Sequence, residues 1–152
     1  MIVHRIQKLK YGSDISGKGS TLVGGRWHLP GSLPVLYTTS NRSLAILEVL
    51  AHLPAPSIVP PKLILLEVFV PDKNVLKIDE RDLPTGWKLR GYHRTVQEWG
   101  MDWLRSRRSL AISVPSVISM DFNILINPLH TDFSRVHVNR EFRGFIIDDR
   151  LI

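Results

Sequence analysis

The feature that most narrows what this chain can fold into is the run from Ser40 to Leu53. Ser40 or Asn41 can cap a helix start, and Pro54 and Pro56 stop it, which leaves about three turns between them. Within the run Leu44, Ala45, Ile46, Leu47, Val49, Leu50, Ala51 and Leu53 leave almost no polar face, so the spacing predicts a largely buried helix. Glu48 is its only acid. A carboxylate on a buried helix costs free energy unless it is paired or opens onto a cleft. Glu48 therefore either pairs with His52, four residues on, or lines an active site. The residues alone leave both open.

The segments ahead of this helix carry two further candidates. Gly24-Gly25-Arg26-Trp27 places a guanidinium directly after two residues free to take positive φ, so the backbone can turn beneath a bound group. Arg26 can then face an anion with a two-pronged hydrogen-bond pattern. Pro34 to Thr39 is a short β-rich run between turn residues, which predicts a strand carrying Tyr37, a flat apolar ring with a polar tip. The glycines and serines of 12–19 read as a loop, and as a phosphate cradle they are weak, because no helix follows at once and the Walker pattern is absent.

Elsewhere the pattern predicts an opening strand over 2–9, a buried strand over 62–70 after a proline-rich connection at 55–61, and a short strand over 74–78. Glu67, inside the buried run, reads as an edge charge or a cross-sheet pair without a functional role. A polar loop follows over 81–94. Val96, Trp99, Trp103 and Leu104 fall on one stripe of an amphipathic helix, with Gln97, Glu98, Asp102 and Arg105 elsewhere. A strand over 110–114 breaks at Pro115, setting Ser116 at its end, and 117–120 resumes an extended pattern. Ser116 lacks the Gly-x-Ser-x-Gly elbow of a nucleophilic serine, so a hydrogen-bonding role is expected. Asn127-Pro128 and His130 read as turn chemistry after a strand, and a last strand is expected over 142–147. Strands mixed with two clear helices, without βαβ alternation, predict a single α+β domain over 1–152 with a mixed, mostly antiparallel sheet.

Composition excludes several classes. The absence of cysteine rules out disulfides and thiol catalysis and suits a reducing cytoplasm. No run approaches the roughly 20 apolar residues of a membrane span, and residues 1–10 lack a signal-peptide core, so no membrane association is expected. The net charge of +6 favours acidic partners such as phosphates or nucleic acid. The basic residues are scattered, and the one cluster, Arg105, Arg107 and Arg108, suits a solvated helix end better than a DNA-binding patch.

Several pieces, in order, resemble the RES domain, a family of bacterial toxins named for its arginine, glutamate and serine. They are Ser16-Gly17 through Gly24-Gly25-Arg26-Trp27, Leu36-Tyr37-Thr38, Ala45 to Leu50, Trp103-Leu104, Val114-Pro115-Ser116 and Asn123 to His130. The resemblance covers nearly the whole chain. It implies a fold like that of ADP-ribosyltransferases and destruction of NAD at the nicotinamide bond, by hydrolysis or with phosphate as co-substrate. It implies no prosthetic group or metal. Carried over by position, the family's arginine falls on Arg26, its tyrosine on Tyr37, its glutamate on Glu48 and its serine on Ser116. Arg26, Tyr37 and Glu48 would be catalytic, and Arg26, Tyr37 and Ser116 would bind NAD. The implied partner is an antitoxin with an Xre-type helix-turn-helix, with DNA reached only through that complex, and a homodimer is allowed. His28 departs from the pattern, which has asparagine after the Arg-Trp pair. Transfer of ADP-ribose to a protein, and a basic nucleic-acid-binding module, are the alternative readings.

Overall fold

The computed structural model describes residues 1–52 and 62–151. The proline-rich connection expected over 55–61 lies outside them. In chain order the elements are β1 (Ile2–Lys8), α1 (Lys18–Val23), β2 (Leu36–Thr39), α2 (Arg42–His52), β3 (Leu63–Phe69), β4 (Val75–Lys77), α3 (Arg94–Ser106), β5 (Ala111–Pro115), β6 (Phe122–Ile126) and β7 (His137–Phe145). The seven strands make one sheet in the order β4-β5-β6-β2-β1-β3-β7. β4 runs parallel to β5 and every other neighbouring pair is antiparallel, so the α+β class with a mixed, mostly antiparallel sheet is observed.

Alternation along the central strands sends side chains to both faces of the sheet. Val3, Leu36, Ile64, Leu66, Ile124 and Ile126 build one cluster. Ile112, Val114 and Leu125 meet Val96, Met101, Trp103 and Leu104 of α3 in a second. Ala45 of α2 joins Ile6, Leu63 and Leu65 in a third. The two large helices thus cover different parts of the sheet, and the candidate side chains converge in a cleft beside α2, bounded by the 23–27 turn and residues 90–92.

Four expectations are corrected. α2 is not largely buried: only Leu44 and Ala45 are fully covered, whereas Leu47 is 40% exposed and Ala51 is also open to solvent. An apolar composition reports what a helix could bury, and among the described residues the sheet covers only one of its sides. α1 was not anticipated; its short turn is held by Ser20, whose Oγ donates to Gly17 O at 2.8 Å and accepts from Val35 N at 2.9 Å. Residues 117–120 form a turn instead of an extended run, because Ser116 Oγ accepts from Ile118 N at 3.0 Å and Ser119 N at 3.4 Å, diverting those groups from a strand ladder. The last strand begins at His137 and ends at Phe145. Along β7, Asn139 and Gly144 are extra residues with no partner in the register with β3. Glu67 pairs with Arg42 and lies 3.9 Å from His4 Nε2, the cross-element pairing expected of it.

Candidate active site

Asn41 caps α2, its Oδ1 accepting from Leu44 N at 2.8 Å. That start sets Ala45, Glu48, Val49 and His52 on one helix face, and all four line a cleft of about 850 Å³, within the size usual for small-molecule sites. Glu48 does not take the local partner open to it. Its Oε1 accepts from Asn123 Nδ2 of β6 at 2.8 Å and from Ser116 Oγ at the end of β5 at 3.3 Å. Oε2 has no protein donor among the described residues. The carboxylate is supplied by the helix and held from the sheet.

Arg26 enters the same cleft from a tight turn closed by Gly25 N donating to His28 O at 3.0 Å. Gly24 has φ 69°, and a Cβ at Gly25 would stand 2.7 Å from the Tyr37 hydroxyl, so this turn needs glycine at both positions. α3 backs the turn. Gln97 Nε2 donates to Gly25 O at 2.9 Å and His28 O at 3.1 Å, and Gly100 lets the Trp27 backbone lie directly against the helix. The spacing of α3 placed Gln97 off the apolar stripe, yet it is buried, because two loop carbonyls replace the water it would otherwise require. Arg26 Nη1 donates to Trp87 O at 2.6 Å and Leu89 O at 3.0 Å. Its Nε and Nη2 have no acceptor among the described residues and are the groups left for an anion. The loop it grips brings Arg90, Gly91 and Tyr92 to the cleft, so the polar loop expected over 81–94 forms part of the wall.

Tyr37 lies half-buried in the cleft wall with its hydroxyl turned inward. That hydroxyl accepts from Trp27 N at 3.3 Å and meets His28 Nδ1 at 2.8 Å. His28 Nε2 sits 2.8 Å from Ser20 O, which can only accept, so Nε2 carries the proton, Nδ1 is the acceptor and Tyr37 is the donor. Burial pushes the phenol above its ordinary value, outweighing the opposing pull of the Trp27 N–H. The hydroxyl is therefore spent on holding the turn, and Tyr37 offers a ligand its ring. Tyr37→Phe is expected to destabilise the fold by about 1–3 kcal/mol in denaturant melts, because it orphans a buried His28 Nδ1 and the Trp27 N–H.

His28 occupies the position where the resemblance has asparagine, and the structure gives it the same pair of tasks an amide can do, one donor and one acceptor. Burial lowers its pKa below the ordinary 6.5, the Ser20 carbonyl opposing, and burial does the same to His4 against the pull of Glu67. In the window between the lowered folded value and 6.5 the unfolded chain binds more protons, so stability is fully present above 6.5 and falls as pH drops through that window. His28→Asn is expected to shrink the stability difference between pH 7.5 and pH 5 measured by denaturant melts, roughly the share of one of two such histidines.

Arg5 on β1 is the cleft residue that sequence patterning missed. Its Nε donates to Gln7 Oε1 at 2.7 Å and its Nη1 to Tyr37 O at 2.8 Å, and it forms no ion pair among the described residues. Burial lowers its pKa and Asp14 pulls the other way; a guanidinium stays charged regardless. The available signal was a cation between the buried Val3 and Ile6 of the opening strand. Arg5, Arg26 and Arg90 around a single carboxylate make a site suited to an anionic ligand. Among the described residues no group of three or more His, Asp or Glu side chains could hold a metal ion, and no helix is long and apolar enough to cross a membrane. Arg105 pairs with Asp102 at the exposed end of α3, as a solvated helix end would.

Of the four sequence candidates, Arg26, Tyr37 and Glu48 line one cleft, and Ser116 reaches it through Glu48. The family model described as RES domain matches residues 2–148. The chain belongs to the RES domain family. Among relatives it is 35% identical over 143 residues to the Prs ADP-ribosylating toxin of Sphingobium sp. (strain YBL2), covering 91% of this chain and 87% of that protein. It is 34% identical to Toxin Res of Photorhabdus laumondii, covering 100% of this chain and 97% of the relative. The toxin–antitoxin complex MbcT–MbcA of M. tuberculosis contains a chain that superposes with a TM-score of 0.77 at 17% identity, covering 93% of this chain and 82% of that one. That likeness shows a shared fold, and it places the α+β architecture of this RES domain among known structures.

Proposed function

We propose that this RES domain is the toxin of a toxin–antitoxin pair and acts by breaking the bond between nicotinamide and ribose in NAD. The observation that carries this reading is Glu48, held by Asn123 and Ser116 in a cleft it shares with Arg26 and Tyr37. As the C1′–N bond breaks, nicotinamide leaves as a neutral ring with the bonding electrons and positive charge develops on the ribose. A fixed carboxylate beside that carbon lowers the barrier. Water then adds at C1′ and loses a proton to give ADP-ribose, or inorganic phosphate adds to give the 1″-phosphate. Nε and Nη2 of Arg26, with Arg5, face the pyrophosphate, and the Tyr37 ring packs on the nicotinamide or its ribose. Ser116 serves NAD through Glu48.

Relatives named as toxins, and a structural neighbour from a toxin–antitoxin complex, support a protein antitoxin as partner. An Xre-type helix-turn-helix protein in the same cytoplasm, carrying any DNA contact, fits that role. Purified protein incubated with NAD should release free nicotinamide and ADP-ribose or its phosphate; intact NAD after prolonged incubation would remove the proposal. Transfer of ADP-ribose to a protein is the second reading. It is favoured by the name of the 35% identical relative and by the exposed apolar residues Val23, Tyr92, Val117 and Ile118 at the cleft. Label from NAD recovered on a macromolecule would select it.

A further inference from the structure

Resting on the proposed chemistry at Glu48, we infer that Asn123 is a positioning residue that decides which oxygen of that carboxylate meets the substrate. Its Nδ2 donates to Oε1 at 2.8 Å, the shorter of the two contacts Glu48 receives. A carboxylate oxygen with two donors in place has its lone-pair directions occupied, so Oε1 is committed to the protein and Oε2 is the oxygen open to a ligand. The second donor is the more restricted. Ser116 Oγ lies at 3.3 Å and also accepts from Ile118 N and Ser119 N, so it cannot follow Glu48 if the helix shifts.

Asn123 is well placed to aim another side chain. Its backbone is in register with Thr39 of β2 on one side and Val114 of β5 on the other, in the middle of the sheet. Only its two side-chain torsions are left to adjust. Glu48 sits on a helix that is half open to solvent and has three side-chain torsions of its own. Without the amide, the carboxylate samples several orientations, and the fraction of enzyme with Oε2 against the breaking bond falls. Ser116→Ala removes only the longer contact and leaves this constraint in place.

The test uses Asn123→Asp and Asn123→Ala in the full chain. Asn123→Asp sets a second carboxylate against Oε1, where two acids close together cannot both ionise freely. Carboxyl NMR titration of 13C-glutamate-labelled protein should then show the Glu48 midpoint about one unit or more higher than in wild type, a readout that needs no substrate. In NAD turnover, Asn123→Asp should lose about 10-fold or more in kcat at neutral pH, with KM within about threefold, and recover part of it on acidification. His4, Arg5, Arg26, His52 and Arg90 also face the cleft, and comparing variant with wild type holds their titrations constant. Asn123→Ala should lose about 10-fold in kcat at every pH, and it decides the matter should the aspartate variant not fold. An unmoved Glu48 titration in folded Asn123→Asp, or a loss confined to KM, overturns the inference. Absence of nicotinamide release from wild type would instead overturn the proposed function, with the titration still deciding whether Asn123 governs Glu48.

Discussion

Glu48→Gln is expected to lower nicotinamide release from NAD by about 100-fold or more while the chain stays folded, since the change removes a charge aimed at a developing cation. The fold should tolerate it because glutamine keeps the shape of the side chain, and its amide oxygen can still accept from Asn123 Nδ2 and Ser116 Oγ. A urea melt superimposable on wild type, combined with a collapsed kcat and a nearly unchanged KM, is the pattern a transition-state charge would give. Activity at the wild-type level would remove Glu48 from the mechanism. Arg26 offers a contrast: its loss should raise KM as well, because it removes anion-facing N–H groups together with the grip on the Trp87 and Leu89 carbonyls.

Gly100→Ala is expected to be the most disruptive single-methyl change in the molecule. A Cβ there would stand 2.0 Å from Trp27 O, and the atom it meets is backbone, not the flexible end of a side chain. Overpacking of this kind costs about 3 kcal/mol, the upper end of its usual range, which for a chain of 152 residues lowers Tm by roughly 10 °C. The gain in helix propensity, about 1 kcal/mol, does not offset it. Because Trp27 follows Arg26, the displaced backbone should also weaken NAD turnover at temperatures where the variant is still folded. An unchanged melting curve would mean that α3 and the Gly25–His28 turn are not in contact as described.

What was legible in the sequence was whatever depended on periodicity or on a punctuating residue. The opening strand β1, the buried run of β3, the amphipathic α3 and the strand ending at Pro115 follow from spacing alone. Glu48 stood out because it breaks an apolar run, Arg26 because it follows two glycines and Tyr37 because a short strand carries it, and all three line one cleft. What sequence could not give were groups whose partners lie far along the chain. Gln97 finds its acceptors 69 and 72 residues away, and Asn123 meets a carboxylate 75 residues away. α1 was missed because its residues favour a loop and its support comes from Val35, just ahead of β2, whose N–H donates to Ser20 Oγ. The exposure of α2 was missed because apolar composition carries no information about how many sides a fold will cover.

The end of the sheet at β7 sets a limit on how copies of this protein can associate. Unpaired residues at Asn139 and Gly144 interrupt its hydrogen-bonding rhythm, and Arg140 and the ion-paired Glu141 and Arg143 set charged side chains along the same border. A second molecule joining there would have to match those irregularities and accommodate those charges. Strand addition at this border is thereby discouraged.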